Sequence, residues 1–431
     1  MSTPPTITSA QYCDNPTRHH NALTWGLSLY GTAIGAGVLF LPIDAGLGGI
    51  WPLLLITLLA FPMTFFSHQA LCRVVLSGAC HQDNITAVVT EFFGTRAGHI
   101  LTLLYFLSIY PILLLYSVAI TNTAESFLVH QMGISPPSRP LLAFVLITTL
   151  MLIIRFGQEV IIKSMSLLVY PFVIALVALS CYLIPYWNGA IFQYVPTQPP
   201  TQHNLLLSSW LVIPVVVFAF NHSPIISSFA VHHKQHFAAD ADTYCSHILK
   251  YSHVMMITTV FFFVFSCIFS LSPEDLQLAK QQNISILSYL ANHFQTPIIA
   301  YMAPLIALIA IAKSFLGHYL GAHEGLVGIT TNIMSSRNIV IPNHKLALAA
   351  EILILLSCWL TAILNPNILT IIETLIGPVV AFMLFLMPMF AIITVPAMQK
   401  YYQPIKNSFI IVIGFTALSA ILYGVWGALL G

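Results

Sequence analysis

Apolar runs long enough to cross a lipid bilayer recur from one end of this chain to the other, mostly with short polar stretches between them. A spanning helix needs about 20 predominantly apolar residues. Eleven such runs stand at 22–43, 49–72, 98–129, 138–154, 160–185, 206–232, 248–271, 297–322, 346–364, 368–395 and 407–430. The pattern predicts an all-α polytopic membrane protein: a tail at 1–21, five helices at 22–185, five more at 206–395, and an eleventh at 407–430. Two amphipathic stretches, NITAVVTEFFG (84–94) and NISILSYLANHF (283–294), are too short to span. They are predicted to be surface helices, the first on the inner face and the second on the outer.

Two of the runs are interrupted. The first holds Gly31, Gly35 and Gly37 inside LSLYGTAIGAGVLFLPIDAGLGG (27–49), although glycine costs a helix about 1 kcal/mol relative to alanine. The sixth holds FAFNHSPIISSF (218–229), where Asn221, His222 and Ser223 bring polar groups to mid-span and Pro224 cannot donate to its preceding turn. Open backbone at that depth is tolerated only where protein or a water-filled cavity satisfies it. Interruptions at matching positions of two halves are the signature of an inverted-repeat transporter with its site at the midplane. Free amides at the outer half-helix of the first span suit a carboxylate, and free carbonyls at the inner half-helices suit an ammonium. A free amino acid carries both. The predicted substrate-binding residues are therefore Thr32, Ala33, Gly35, Ala36 and Gly37 with Asn221, His222, Ser223 and Ser227, and Ser228 is an alternative neighbour of the substrate side chain. The GTAIG spacing of Gly31 and Gly35 also fits close helix packing.

Composition agrees: 58% of residues are hydrophobic, 6% are charged and mean hydropathy is +0.88, against about 25% charged in soluble domains. The net charge of +1 leaves no electrostatic footprint for nucleic acid. No Walker, Rossmann or zinc-ligand pattern is present, so neither ATP-driven transport nor an enzyme is expected, and no cofactor, metal or obligatory protein partner is called for. The seven cysteines are scattered and mostly lie in apolar runs, which reads as packing and not as a disulfide framework. The N-terminus lacks the three-part pattern of a cleaved signal peptide. With the N-terminus inside, eleven of the fourteen Lys and Arg residues fall on the cytoplasmic side, and only Arg139 and Lys280 fall outside. The positive-inside rule then places the C-terminus outside.

The fourteenth cation, Lys313, lies mid-span, at a cost of at least about 2.5 kcal/mol on insertion scales. It is predicted to face the interior. Asp44 and Glu373 near outer helix ends have gating or solvated-rim roles, Glu125 reads as an interface carboxylate, and Glu351 reads as an acid at the start of the ninth span. His318 reads as a packing residue. His222, in the break itself, either lines the site or carries a proton, a task that the unperturbed imidazole pKa near 6.5 suits.

The stretches TWGLSLYGTAIGAGVLFLPIDAG, FPMTFFSH, LLYFLSIYPILLLYSVAITNT, FNHSPIISSFAV, QQNISILSYLANHF, AKSFLGHYLGAHEG and LNPNILTIIETLIGP resemble the bacterial hydroxy and aromatic amino acid permease family, its serine and threonine branch. The resemblance runs from about Thr24 to Met398. It implies a LeuT-like fold of five-plus-five inverted helices, broken in helices 1 and 6, with an eleventh helix, in a bacterial inner membrane. It implies import of L-serine, or of L-threonine, with protons as the coupling ion and the bilayer as the surroundings. It also puts Lys313 and Ser314 where sodium-coupled relatives hold an ion, so a protonated Lys313 is expected to contact carbonyls of the first span, with His222 the rival proton carrier. An aromatic amino acid permease, a sodium-coupled symporter and, from another class, a channel are the alternatives.

Overall fold

In hydrocarbon a backbone amide has no water to bond, so a chain this apolar must close its hydrogen bonds within helices. The computed structural model describes residues 16–193, 205–294, 296–337, 342–368 and 376–430, and among them there are helices and no strands. The first predicted span is two helices, α1 (Pro16–Ala33) and α2 (Ala36–Leu47), bent 51° apart. The chain reverses into α3 (Ile50–Leu76) at Gly49, whose φ of 93° is free of strain only for glycine. α4 (Ile85–Ser126) joins the first predicted surface helix to the third span across Gly94 at φ 78°. α5 (Arg139–Ile154), α6 (Gln158–Leu183) and the short α7 (Ala190–Gln193) complete the first half.

The second half begins with another broken pair, α8 (Leu205–Ala219) and α9 (Ser223–Phe237). It continues with α10 (Ala241–Ser270), the surface helices α11 (Pro273–Gln281) and α12 (Ile286–His293), and then α13 (Pro297–Ser336) and α14 (Asn343–Leu364). A tenth span runs through Gly377–Ala381, a π-helical turn at Phe382–Leu386 and Met387–Thr394, and the last helix is Pro404–Leu430. A helix stands at each of the eleven predicted positions. Eight helices among the described residues are long and apolar enough to cross a membrane, and the bent pair makes a ninth; α5 and the apolar part of α8 are shorter.

The boundaries differ in two informative places. α1 starts at Pro16, inside the stretch expected to be a tail, and α13 continues to Ser336 beyond the expected end at 322. The extension of α13 brings His323 and Glu324 into the bundle. α14 begins at Asn343, so Glu351 lies well inside the helix and not at its start; it faces Arg155 at 3.9 Å. Four of the six described cysteines are buried, while Cys80 and Cys181 are exposed. Glu373 lies outside the described residues.

α13 runs through the centre, against α4, α6, α1 and α9. The face carrying α11 and α12 is fastened by polar contacts. Arg139 donates to the carbonyl of Ala362 at 2.7 Å, to Glu125 at 2.7 Å and to the Asn122 amide oxygen at 2.6 Å. Lys280 of α11 pairs with the buried Asp44 of α2 at 3.1 Å. Ser272 and Asp275 form a capping box that starts α11, and Asp275 also accepts from the Tyr289 hydroxyl of α12 at 2.7 Å.

Partial burial raises the Asp275 pKa, but the hydrogen bonds from Tyr289 and Ser272, with His293 nearby, outweigh it and hold the carboxyl below its usual value. A depressed carboxylate contributes stability above the unfolded pKa of about 3.9 and loses it as pH falls through the folded value. Asp275→Asn is therefore expected to lower the thermal midpoint of the purified protein at pH 6 and to converge with wild type as pH falls below about 4. A constant difference across that range would contradict the assignment.

Candidate functional site

The break in the first span is a local consequence of glycine and threonine. Thr32 turns its hydroxyl back onto the carbonyl of Ser28 at 2.9 Å, and the amide of Gly35 reaches Ala33 at 3.1 Å. Gly35 then stands as the N-cap of α2, with no side chain to cap it. The first amides of α2, Ala36 to Val38, have no acceptor within the helix, and the positive end of its dipole faces the break.

α13 closes on this opening. Ser314 donates to the carbonyl of Gly31 at 3.1 Å. A Cβ on Gly35 would lie 2.3 Å from Ser314 Cβ and 3.0 Å from Tyr116, one on Gly37 would lie 2.9 Å from Phe218, and one on Gly317 would lie 2.3 Å from Thr32 Oγ1. The glycine positions are thus filled by neighbouring helices, and the open approach path expected for a ligand at Gly31, Gly35 and Gly37 is closed in this conformation. The small-residue spacing serves helix contact, because only a bare backbone lets α13 and α8 come near enough to cover the unwound turn. Thr32 and Ala33 are buried in the same contact, and the side chain of Ala36 is not among those described.

The second break lies alongside, since the first turn of α2 touches the end of α8 through Gly37, Phe218 and Ala219. The Asn221 side-chain oxygen accepts the amide of Ser223 at 3.0 Å and starts α9, with Pro224 in the first turn where its missing N–H costs nothing. The Asn221 amide nitrogen is buried without an acceptor. The amide of His222 donates to His68 Nε2 at 3.2 Å, and the two rings stack. Ser227 does not face an open pocket: it donates to Glu324 of α13 at 2.7 Å and accepts from the amide of Ile85, at the start of α4.

Lys313 is fully buried, as expected, but its ammonium touches no carbonyl of α1. It has no hydrogen-bond acceptor among the described residues, and lies 3.6 Å from the centroid of the Phe172 ring. Ser314 makes the contact to α1 instead. A cavity of about 810 Å³ opens on the cation-rich face, its wall including Asn84, Thr86, Ser228, Tyr319, Glu324 and Glu351. Neither Thr32 to Gly37 nor Asn221 to Ser223 lines it.

Three residues of this region were not singled out from the sequence. His68 and His253 stand in apolar runs, and a count of mid-span histidines would have raised them, since ionisable residues inside a membrane are functional by default. Glu324 escaped because the eighth span was drawn to end at 322.

Two interrupted helices lying side by side and covered by a third belong to a multi-pass membrane protein with the LeuT-like fold. Solved structures agree on that fold: MhsT in complex with L-phenylalanine matches with a TM-score of 0.61 at 14% identity, covering 93% of this chain and 97% of that one. A Na+-coupled sialic acid symporter matches with a TM-score of 0.58 at 14% identity, covering 93% and 88%. The chain belongs to the tryptophan/tyrosine permease family, which it matches over residues 19–429. It is 54% identical over 428 residues to a protein named serine transporter SdaC from Escherichia coli (strain K12), covering 99% of this chain and 100% of that protein. It is 42% identical over 417 residues to the threonine/serine transporter TdcC of Edwardsiella piscicida, covering 93% and 94%. These relatives and the family are transporters, not enzymes.

The contact between Gly35 and Ser314 makes a direct prediction. Gly35→Ala should destabilise the protein by about 1–3 kcal/mol through overpacking, read as a lower thermal midpoint in detergent. Adding Ser314→Gly removes the atoms in the way but also a hydrogen bond and a helical side chain, so the double variant should be less destabilised than the two single variants summed. An unshifted midpoint for Gly35→Ala would mean that the helices do not approach this closely.

Proposed function

We propose that this protein imports L-serine by proton symport through alternating access. The observation that carries the mechanism is the contact between the two breaks, where the uncapped first turn of α2 lies against the end of α8. Those first-turn amides suit the substrate carboxylate, and the carbonyls ending α1 and α8 suit its ammonium. Ser314, Tyr116 and Phe218 crowd the same turn, which favours a small side chain over an aromatic one. The end-to-end similarity to a protein named as a serine transporter supports the choice of serine.

The proton is preferred to sodium because Lys313, next to the Ser314 contact with α1, puts a titratable group in the buried centre of the bundle. Lys313, Ser314 and His222 are the candidate coupling residues. The bacterial inner membrane, a cytoplasmic N-terminus and a periplasmic C-terminus complete the proposal, on the strength of the cation bias. In that orientation the cavity faces the cytoplasm, and the fastened face is the outer one.

Reconstituted into liposomes without sodium, the protein should accumulate serine under an inward proton gradient. Threonine should compete about 10- to 200-fold more weakly, the range one methyl provides. Accumulation that needs sodium, or flux that never rises above equilibration, would defeat the proposal. For orientation, a variant retaining only the exposed Cys80, in the loop between α3 and α4, should react with an impermeant maleimide only after cells are permeabilised; labelling of intact cells would invert the topology.

A further inference from the structure

His68 of α3, His222 in the break of the sixth span and His253 of α10 meet with no surface exposed. The His68 and His222 rings lie face to face, their centroids 3.7 Å apart and their planes within 5°. His253 stands 4.7 Å from His222 and 5.4 Å from His68. Each ring places Nδ1 on a backbone carbonyl: His68 on Thr64 at 2.7 Å, His222 on Phe220 at 3.0 Å and His253 on Leu249 at 2.7 Å. A carbonyl only accepts, so each Nδ1 carries the hydrogen and each Nε2 presents a bare lone pair.

The His68 lone pair is used by the amide of His222. The Nε2 atoms of His222 and His253 have no partner, and one nitrogen from each of the three rings lies within 4.8 Å of the others. Two acceptors are therefore buried in one cluster with no donor among the described residues, and each such group calls for a partner. A proton fits, because it occupies a single Nε2 lone pair and needs no second ring to hold it. A metal ion fits poorly. Imidazole binds metals in the plane of its ring, and the parallel planes of His68 and His222 do not meet at one point.

We propose that the His222–His253 pair, backed by the stacked ring of His68, is the proton site of this transporter and takes one proton per cycle. The proposal rests on the proton-symport reading above and names the carrier within it. The one other titratable side chain facing the cluster is His318 of α13; no Asp, Glu, Lys or Arg among the described residues does so. A bound proton thus brings a charge with no resident counter-ion, and a second proton would add like-charge repulsion at close range. The substrate carboxylate, held by the first-turn amides of α2 that abut the end of α8, supplies the missing anion. Proton and amino acid then each favour binding of the other, and the coupling is reciprocal. Lys313, the rival carrier, lies apart from this cluster, over the Phe172 ring.

The test uses the purified protein in sodium-free liposomes containing a pH dye. In wild type, serine added outside should acidify the lumen, and a one-unit pH gradient should hold about a tenfold serine gradient if one proton moves per serine. Wild type that moves serine without protons would sink the symport reading itself, before any variant is made. Given a coupled wild type, His253→Gln should abolish lumen acidification and bring the serine gradient to unity, while serine exchange between equal pools continues. His222→Gln should lose acidification in the same way. The inference fails if His253→Gln still accumulates serine with wild-type pH dependence, or if Lys313→Gln alone abolishes coupling. It also fails if wild type binds Zn²⁺ or Ni²⁺ stoichiometrically and His253→Gln does not, which would make this a metal site. Should the variants not fold, ¹⁵N spectra of histidine-labelled wild type decide: one ring nitrogen titrating in a serine-dependent manner supports the proton site, and rings indifferent to pH and serine overturn it.

Discussion

An unwound turn in the middle of a membrane has to be covered, and in this protein α13 does the covering. Ser314 bonds the Gly31 carbonyl, Gly317 admits the Thr32 side chain, and Gly35 leaves room for Ser314. The last two contacts need the absence of a side chain on one partner. Further along the same helix Glu324 holds Ser227, which in turn holds the first amide of α4. One long helix therefore touches both breaks and the surface helix. Shifting it disturbs all three, which is the mechanical requirement for a site whose access changes from one side of the membrane to the other.

The two faces of the bundle are built differently. One is held by Arg139 with its three acceptors, by Lys280 on Asp44 and by the Asp275 cap. The other is hollowed by a cavity that reaches Ser228, about 8 Å along α9 from the break at 1.5 Å rise per residue. Exposed ion pairs contribute only about 0–1 kcal/mol, and Lys280 is a third exposed while Asp44 is nearly buried. The pair joins α2 to α11 at the edge of the fastened face.

Much of this was legible in the sequence because membrane helices announce themselves by composition. The eleven apolar runs, the short helices at 85–93 and 286–293 and both interruptions all correspond to observed elements. The sixth break was readable residue by residue: Asn221 and Pro224 do start a new helix, through a side-chain acceptor and a residue without an N–H. The first was readable as a break but not in its use, since a glycine looks the same whether its empty side faces a ligand or a serine. Periodicity says which residues share a helix, not which helices meet. Nothing in the chain records that His68 stacks on His222 across 154 positions, or that Lys313 rests on Phe172 and not on a carbonyl.

α5 is 16 residues long, from Arg139 to Ile154, and is followed at once by Arg155. At about 1.5 Å per residue it covers roughly 24 Å, against a hydrocarbon core of about 30 Å. A straight helix that short cannot meet the deficit by tilting, which only shortens its projection, and it has a charged residue at each end. Thinning of the lipid or snorkelling of those end residues makes up the difference, at a cost of fractions of a kcal/mol per Å. The flank formed by α5 therefore fits a thinner hydrocarbon layer than the longer helices around it do.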